Sequence, residues 1–230
     1  MFADRLQIVD EEIRKACEKA GRRREEVTLI AVSKTNPAEA VREAFACGQL
    51  DFGENKAQEM TAKKAECPES IRWHFIGNLQ KNKVKYVVGN AVMIHSVSSI
   101  PLAAEIERIA AKKDLTANVL AEVNIADEAT KHGIGREEAL GLVKAMGEMP
   151  HLSVRGLMCI APPVEDPEEN RPCFAAMREL LGEINAMELP GVHLTELSMG
   201  MSGDYTVAVE EGATLVRVGT ALFGARHYPV

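Results

Sequence analysis

Eight short apolar runs alternate along this chain with stretches of helical spacing, and that alternation limits the fold more than any other feature. The runs fall at 27–32, 50–53, 72–76, 92–97, 119–125, 154–160, 194–197 and 215–218. Several are apolar almost without a break, as strands buried on both faces are. Helix-like stretches lie between them at 55–65, 80–88, 99–113, 136–149, 168–187 and 203–211, with Pro37 opening one after the first strand and a last turn after Gly219. Strands separated by helices pair in parallel through right-handed crossovers, and eight such units close into a barrel. The expectation is an α/β chain forming a single (β/α)8 TIM barrel over 1–230. An extra N-terminal helix precedes it, with Leu6, Val9, Ile13, Cys17 and Ala20 in one apolar stripe that ends at Gly21. An open doubly wound sheet is the alternative. It is the weaker one, because Gly133-Ile134-Gly135 follows the fifth strand rather than the first and lacks the third glycine of a dinucleotide turn.

Bulk properties narrow the function. A length of 230 residues suits one barrel, and 46% hydrophobic residues leave no room for a long disordered tail. The net charge of −7 argues against nucleic acid as a partner, since phosphate neutralisation needs massed Lys and Arg. The Arg22-Arg23-Arg24 run is followed at once by Glu25 and Glu26 and reads as a solvated helix end. The five cysteines are odd in number and include no Cys-x-x-Cys pair, so neither a disulfide framework nor a metal site is expected. No apolar stretch approaches the roughly eighteen residues of a membrane span. A reducing cytoplasm is the expected location.

Reactive groups in such a barrel come from strand C-termini, and phosphate commonly binds after strands seven and eight. The first strand ends Ala31-Val32-Ser33-Lys34-Thr35, which puts an amine at the barrel mouth. A lysine there either snorkels to the rim and pairs with a carboxylate such as Glu54, or serves the site. After the seventh strand comes Ser198-Met199-Gly200-Met201-Ser202-Gly203-Asp204, and after the eighth Gly219-Thr220, both leading into helices. Ser202 and Thr220 suit simple helix capping, and they equally suit an anion cradle. Arg217 stands two residues before Gly219, placed either for a ligand or for an ion pair with Glu122 or Glu196. A lysine facing two hydroxyl–glycine turns is a site for a phosphorylated aldehyde.

Six motifs in order carry a resemblance over nearly the whole chain: Ala31-Val32-Ser33-Lys34-Thr35; Phe52-Gly53-Glu54-Asn55; Trp73-His74-Phe75-Ile76-Gly77 with Leu79-Gln80 and Asn82-Lys83; Arg155-Gly156-Leu157-Met158; Leu197-Ser198-Met199-Gly200-Met201-Ser202; and Val216-Arg217-Val218-Gly219-Thr220 with Phe223-Gly224. With these the sequence resembles the YggS/PROSC family of pyridoxal phosphate homeostasis proteins. The resemblance implies a barrel like the N-terminal domain of alanine racemase, of the fold-type III class, carrying pyridoxal 5′-phosphate (PLP) as a Schiff base on Lys34. It further implies that Ser202, Gly219 and Thr220 hold the phosphate and that Arg217 faces the pyridine nitrogen. Asn55 and His74 would lie beside the cofactor, Met158 would line the pocket, and Ser198, Met199 and Gly200 would complete the binding loop.

Carrier and enzyme are then separable by chemistry. An arginine at the pyridine nitrogen leaves that nitrogen unprotonated and the cofactor a weak electron sink. Racemisation also needs a second acid/base group opposite Lys34. In alanine racemases that group resembles a tyrosine brought by a separate C-terminal domain, and this chain stops at Val230. Its tyrosines are Tyr86, Tyr205 and Tyr228, of which Tyr205 stands closest to the phosphate loop. His74 is a candidate base or else a hydrogen-bonded histidine of the barrel interior. The expectation is a non-catalytic, monomeric PLP carrier in vitamin B6 and amino-acid homeostasis, with apo PLP-dependent enzymes as recipients and Lys131 as a way-station for the aldehyde. A PLP-dependent amino-acid racemase is the alternative, and a cofactor-free isomerase acting on a sugar phosphate is a third reading.

Overall fold

The computed structural model describes residues 1–125 and 133–224. Its strands are β1 (Thr28–Val32), β2 (Asp51–Glu54), β3 (Arg72–Phe75), β4 (Met93–Val97), β5 (Ala117–Glu122), β6 (Leu152–Met158), β7 (Glu196–Ser198) and β8 (Leu215–Val218). All neighbours pair in parallel, and β8 returns to β1 with Ile30 opposite Arg217, so the sheet is a closed barrel and not an open one.

The helices are α1 (Phe2–Lys19), α2 (Ala38–Ala46), α3 (Ala57–Glu66), α4 (Val84–Val87), α5 (Ile100–Lys112), α6 (Arg136–Gly147), α7 (Arg171–Ala186), α8 (Tyr205–Glu210) and α9 (Thr220–Phe223). The extra helix α1 buries Phe2, Val9, Ile13, Ala16 and Cys17 against the barrel's outside. The Phe2 ring packs 5.2 Å from that of Phe223 in α9. Full burial of one such side chain, Ile13 for instance, stabilises the contact by about 1.5–3 kcal/mol. α1 thereby fastens the last two helices, which carry the loops at the barrel mouth.

Strand ends differ from the sequence expectation by a few residues. The seventh strand begins at Glu196, because Leu194 exchanges both backbone hydrogen bonds with the Asn185 side chain instead of with a strand. The fifth and sixth runs remain apolar past Glu122 and Met158, but those residues belong to loops at the mouth. There Val123 and Cys159 stay buried and each donates one backbone hydrogen bond to the neighbouring strand, to the Met158 and Ser198 carbonyls, while Ile160 is exposed.

The barrel interior is shared between two kinds of layer. Ile30, Leu120, Met158 and Leu215 form an apolar cluster, with Met93 packed against it. Asp51, His74, His95, Glu122, Ser198 and Arg217 stand there as buried polar groups. On β1 the period of two that puts Ile30 inside carries through Val32 to Lys34, beyond the last ladder residue.

Candidate functional site

A cavity of about 250 Å³ opens at the C-terminal end of the strands. Lys34, Asn55, Ser202, Arg217, Gly219 and Thr220, all singled out from the sequence, line it together. Val32, Ile76, Ile160, Met201 and Gly203 complete the wall. Val32, Ile76, Met201 and Gly203 stood inside the quoted motifs and loop without being named as site residues, and Ile160 was noted only as the end of the sixth run. His74, Met158, Ser198, Met199 and Gly200 are not among the lining residues. Met158 fills the apolar cluster below rather than the pocket wall.

Lys34 is half-buried, and its neighbours on both sides are tied down. Ser33 Oγ donates to Glu54 Oε1 at 2.7 Å, and the Thr35 amide donates to Glu59 Oε1 at 2.7 Å. Lys63 Nζ joins the two carboxylates, 2.6 Å from Glu54 and 2.7 Å from Glu59, and also donates to the Ser33 carbonyl at 2.8 Å. The partner of Glu54 is therefore Lys63, which corrects the alternative in which Lys34 pairs with Glu54. Burial pushes the Glu54 carboxyl up despite the opposing pull of Lys63 and Ser33. Thr35 takes φ of 67°, a left-handed conformation that a β-branched residue adopts only when its surroundings impose it. The Glu59 contact to its amide is that constraint.

Asn55 follows β2 and lies against Gly77, whose absent Cβ would stand 2.2 Å from the Asn55 carbonyl oxygen. Only glycine permits this approach, which seats the Asn55 side chain beside the cavity. Its Oδ1 is buried and has no hydrogen-bond partner among the described residues.

Arg217 forms the cavity floor and is only 5% exposed. Nη1 donates to Ser198 Oγ at 2.6 Å and Nη2 to the Cys159 carbonyl at 2.8 Å. Burial lowers its pKa from the usual arginine value, against the attraction of Cys159, Asp204 and Glu122. Glu196, one partner considered from the sequence, accepts from Thr214 instead.

The opposite wall is built by two loops holding each other. Ser202 Oγ accepts from the Gly219 amide at 3.0 Å and from the Ala221 amide at 3.4 Å. Ser202 thus caps the first turn of α9 and not that of its own helix α8, whose N-cap is Asp204; the N-cap of α9 is Gly219, not Thr220. Asp204 fixes the loop by accepting from the Met201 amide at 2.6 Å and from Asn170 Nδ2 at 2.8 Å. Gly200 turns at φ of 88°, and its carbonyl accepts from the Arg217 amide at 3.0 Å. It shapes the loop and places Arg217 without facing the cavity.

The candidate acid/base groups for racemisation are committed elsewhere. Tyr205 is buried and its hydroxyl donates to Glu12 of α1, so burial and that carboxylate together raise its pKa. His74 has both ring nitrogens engaged, Nδ1 with His95 Nε2 at 3.0 Å and Nε2 with Asp51 Oδ1 at 3.0 Å. That is the barrel-interior histidine of the sequence alternatives. Lys131 and Tyr228 lie outside the described residues.

Fold and site together define a barrel of the alanine racemase type, with a mouth cavity walled by a lysine, a buried arginine and two hydroxyl–glycine turns. The family model for the alanine racemase N-terminal domain matches residues 6–227. A pyridoxal phosphate homeostasis protein of Aquifex aeolicus is 46% identical over 226 residues, 98% of either chain. PipY of Synechococcus elongatus, solved without PLP, superposes with a TM-score of 0.87 at 38% identity, covering 97% of this chain and all of that one. With PLP bound, the same protein gives 0.84 at 37% identity. An alanine racemase of Clostridium difficile, 16% identical with a TM-score of 0.70, shares the fold. The chain belongs to the pyridoxal phosphate homeostasis family.

Proposed function

We propose that the protein binds PLP at the barrel mouth and acts as its carrier in PLP and amino-acid homeostasis, taking the aldehyde on Lys34 Nζ and releasing it to apo PLP-dependent enzymes. The observation that carries this reading is the convergence of Lys34, Arg217 and the Ser202/Gly219/Thr220 wall on one small cavity. The residues fit the group: an amine on one side and hydroxyls and glycine backbone on the other, with Asn55 also on the cavity wall. PLP supplies an electrophilic aldehyde that condenses reversibly with amines.

Each wall then has a part. Ser202, Gly219 and Thr220 would hold the phosphate, the two hydroxyls as donors and Gly219, its amide already given to Ser202 Oγ, by close backbone approach. Arg217, fixed by two hydrogen bonds, would face the ring nitrogen as a donor and cannot serve as the carboxylate that keeps it protonated. Tyr205 is held by Glu12 and offers no acid/base group at the mouth. Both points favour a carrier over a racemase. The mouth opens past the exposed Ile160 and Met201, which gives an incoming amine access.

A cytoplasmic monomer completes the proposal. None of the five cysteines forms a disulfide, as in a reducing compartment, and no helix among the described residues is long and apolar enough to cross a membrane. Spectral titration with PLP tests the assignment. The wild type gains a visible band and activates an added apo-enzyme, whereas Lys34→Ala gains no such band; equal bands in both proteins overturn it.

A further inference from the structure

An unbroken line of buried polar side chains runs from the cavity floor down through the barrel. Arg217 Nη1 donates to Ser198 Oγ at 2.6 Å, and Ser198 Oγ lies 2.8 Å from His95 Nδ1. His95 Nε2 lies 3.0 Å from His74 Nδ1, and His74 Nε2 lies 3.0 Å from Asp51 Oδ1. Asp51 in turn accepts from Arg72 Nε at 2.9 Å at the far end of the barrel. None of Arg217, Ser198, His95, His74 and Asp51 is more than 6% exposed, so the protons have few other places to go.

Counting donors fixes the direction of the line. A guanidinium only donates, so Ser198 Oγ accepts from Arg217. If Ser198 spends its one hydroxyl proton on His95 Nδ1, His95 carries its own on Nε2 and donates to His74 Nδ1. His74 then carries its proton on Nε2 and donates to Asp51. Every contact is satisfied with both imidazoles neutral. In the reverse direction His74 donates from Nδ1 and meets the Asp51 carboxylate with a bare Nε2, unless it takes a second proton. That would bury another cation on a carboxylate already shared with Arg72, at a desolvation cost the forward direction avoids.

We infer that His95 is a positioning residue for the cofactor site, acting through Ser198 to fix the guanidinium plane of Arg217 and connecting that cation to Asp51 as its remote counter-charge. The inference rests on the reading of Arg217 as a group that faces PLP. It explains how His74, Ser198 and Asp51 serve a site that none of them lines. The apolar cluster of Ile30, Leu120, Met158 and Leu215 also lies in the interior and helps keep the line in a low dielectric, where each hydrogen bond orients the next more strongly.

Two measurements test it. In the ¹⁵N-labelled protein without PLP at pH 7, the ring nitrogens of His74 and His95 both read as neutral with the proton on Nε2. A proton on Nδ1 of either ring, or a doubly protonated His74, overturns the line. In PLP titrations, His95→Phe weakens binding about tenfold and shifts the absorption maximum of the bound cofactor, while His95→Gln, which still offers an acceptor and a donor, stays within about threefold of wild type. Wild-type affinity and spectrum in His95→Phe overturn the positioning role, even if its thermal stability falls. Should His95→Phe not fold, His95→Gln and the tautomers decide. A wild type that binds no PLP removes the cofactor reading itself, and the tautomer pattern still judges the line separately.

Discussion

Lys63 Nζ stands 2.6 Å from Glu54 Oε1 with both side chains closed to solvent, immediately behind the loop that presents Lys34. Through Ser33 and Glu59 this pair fixes the backbone on either side of the amine. Lys63→Met leaves a buried carboxylate without its cation, and urea unfolding at pH 7 should show a loss of about 3–5 kcal/mol. The deficit shrinks as pH is lowered, because Glu54, its pKa already raised by burial, then takes up a proton. A Glu54→Gln/Lys63→Met double variant recovers much of the loss. Wild-type stability in Lys63→Met would contradict this account of the loop.

Gly200→Ala strikes the loop between β7 and α8. The added Cβ would meet Ala208 Cβ at 2.6 Å and Tyr205 Cα at 2.9 Å, in a backbone already at positive φ. Strain and overpacking together destabilise by about 2–4 kcal/mol, and PLP affinity falls with them because the Gly200 carbonyl holds the Arg217 amide. Thermal melts and PLP titration of the same sample read both effects.

Ser202→Ala removes the hydroxyl that accepts from the Gly219 and Ala221 amides. Loss of such a cap costs about 1 kcal/mol in stability. The larger effect falls on the ligand, since the two mouth loops lose their direct tie. Inorganic phosphate should compete with PLP measurably in the wild type and much less in Ser202→Ala, as competition titrations would show.

His95 gives stability a pH dependence of known sign. Burial first, with the Arg217 guanidinium adding to it, holds its pKa well below the ordinary 6.5. Below that pH the unfolded chain binds a proton that the folded chain does not, so stability falls with pH at a slope approaching about 1.4 kcal/mol per unit from this group. Urea midpoints at pH 7.5 and 5.5 should differ more for the wild type than for His95→Gln. Identical pH dependence would show that the buried ring is not held neutral.

The barrel and much of its site were legible in the sequence because they are written in local pattern. Apolar runs gave all eight strands, and chain order put Lys34, Asn55, Arg217 and Gly219 at strand ends. Partnerships across the barrel were not legible. Lys63 lies on a helix face where a lysine is ordinarily solvated, so nothing marked it as the partner of Glu54. His95 sits inside an ordinary strand run, 103 residues from Ser198, and only ring closure brings the two together. The capping reading of Ser202 placed the right residue on the wrong helix, since one loop end serves the neighbouring turn. Tyr205 stood near the phosphate loop in sequence, yet α1 draws its hydroxyl to the barrel's outside.

Borohydride reduction of the PLP-loaded protein, followed by peptide mapping, tests the central claim most directly. The account predicts one stable pyridoxyl adduct, on Lys34, formed as the visible band disappears. An adduct on another lysine, or a bound cofactor that leaves no adduct at all, would contradict it.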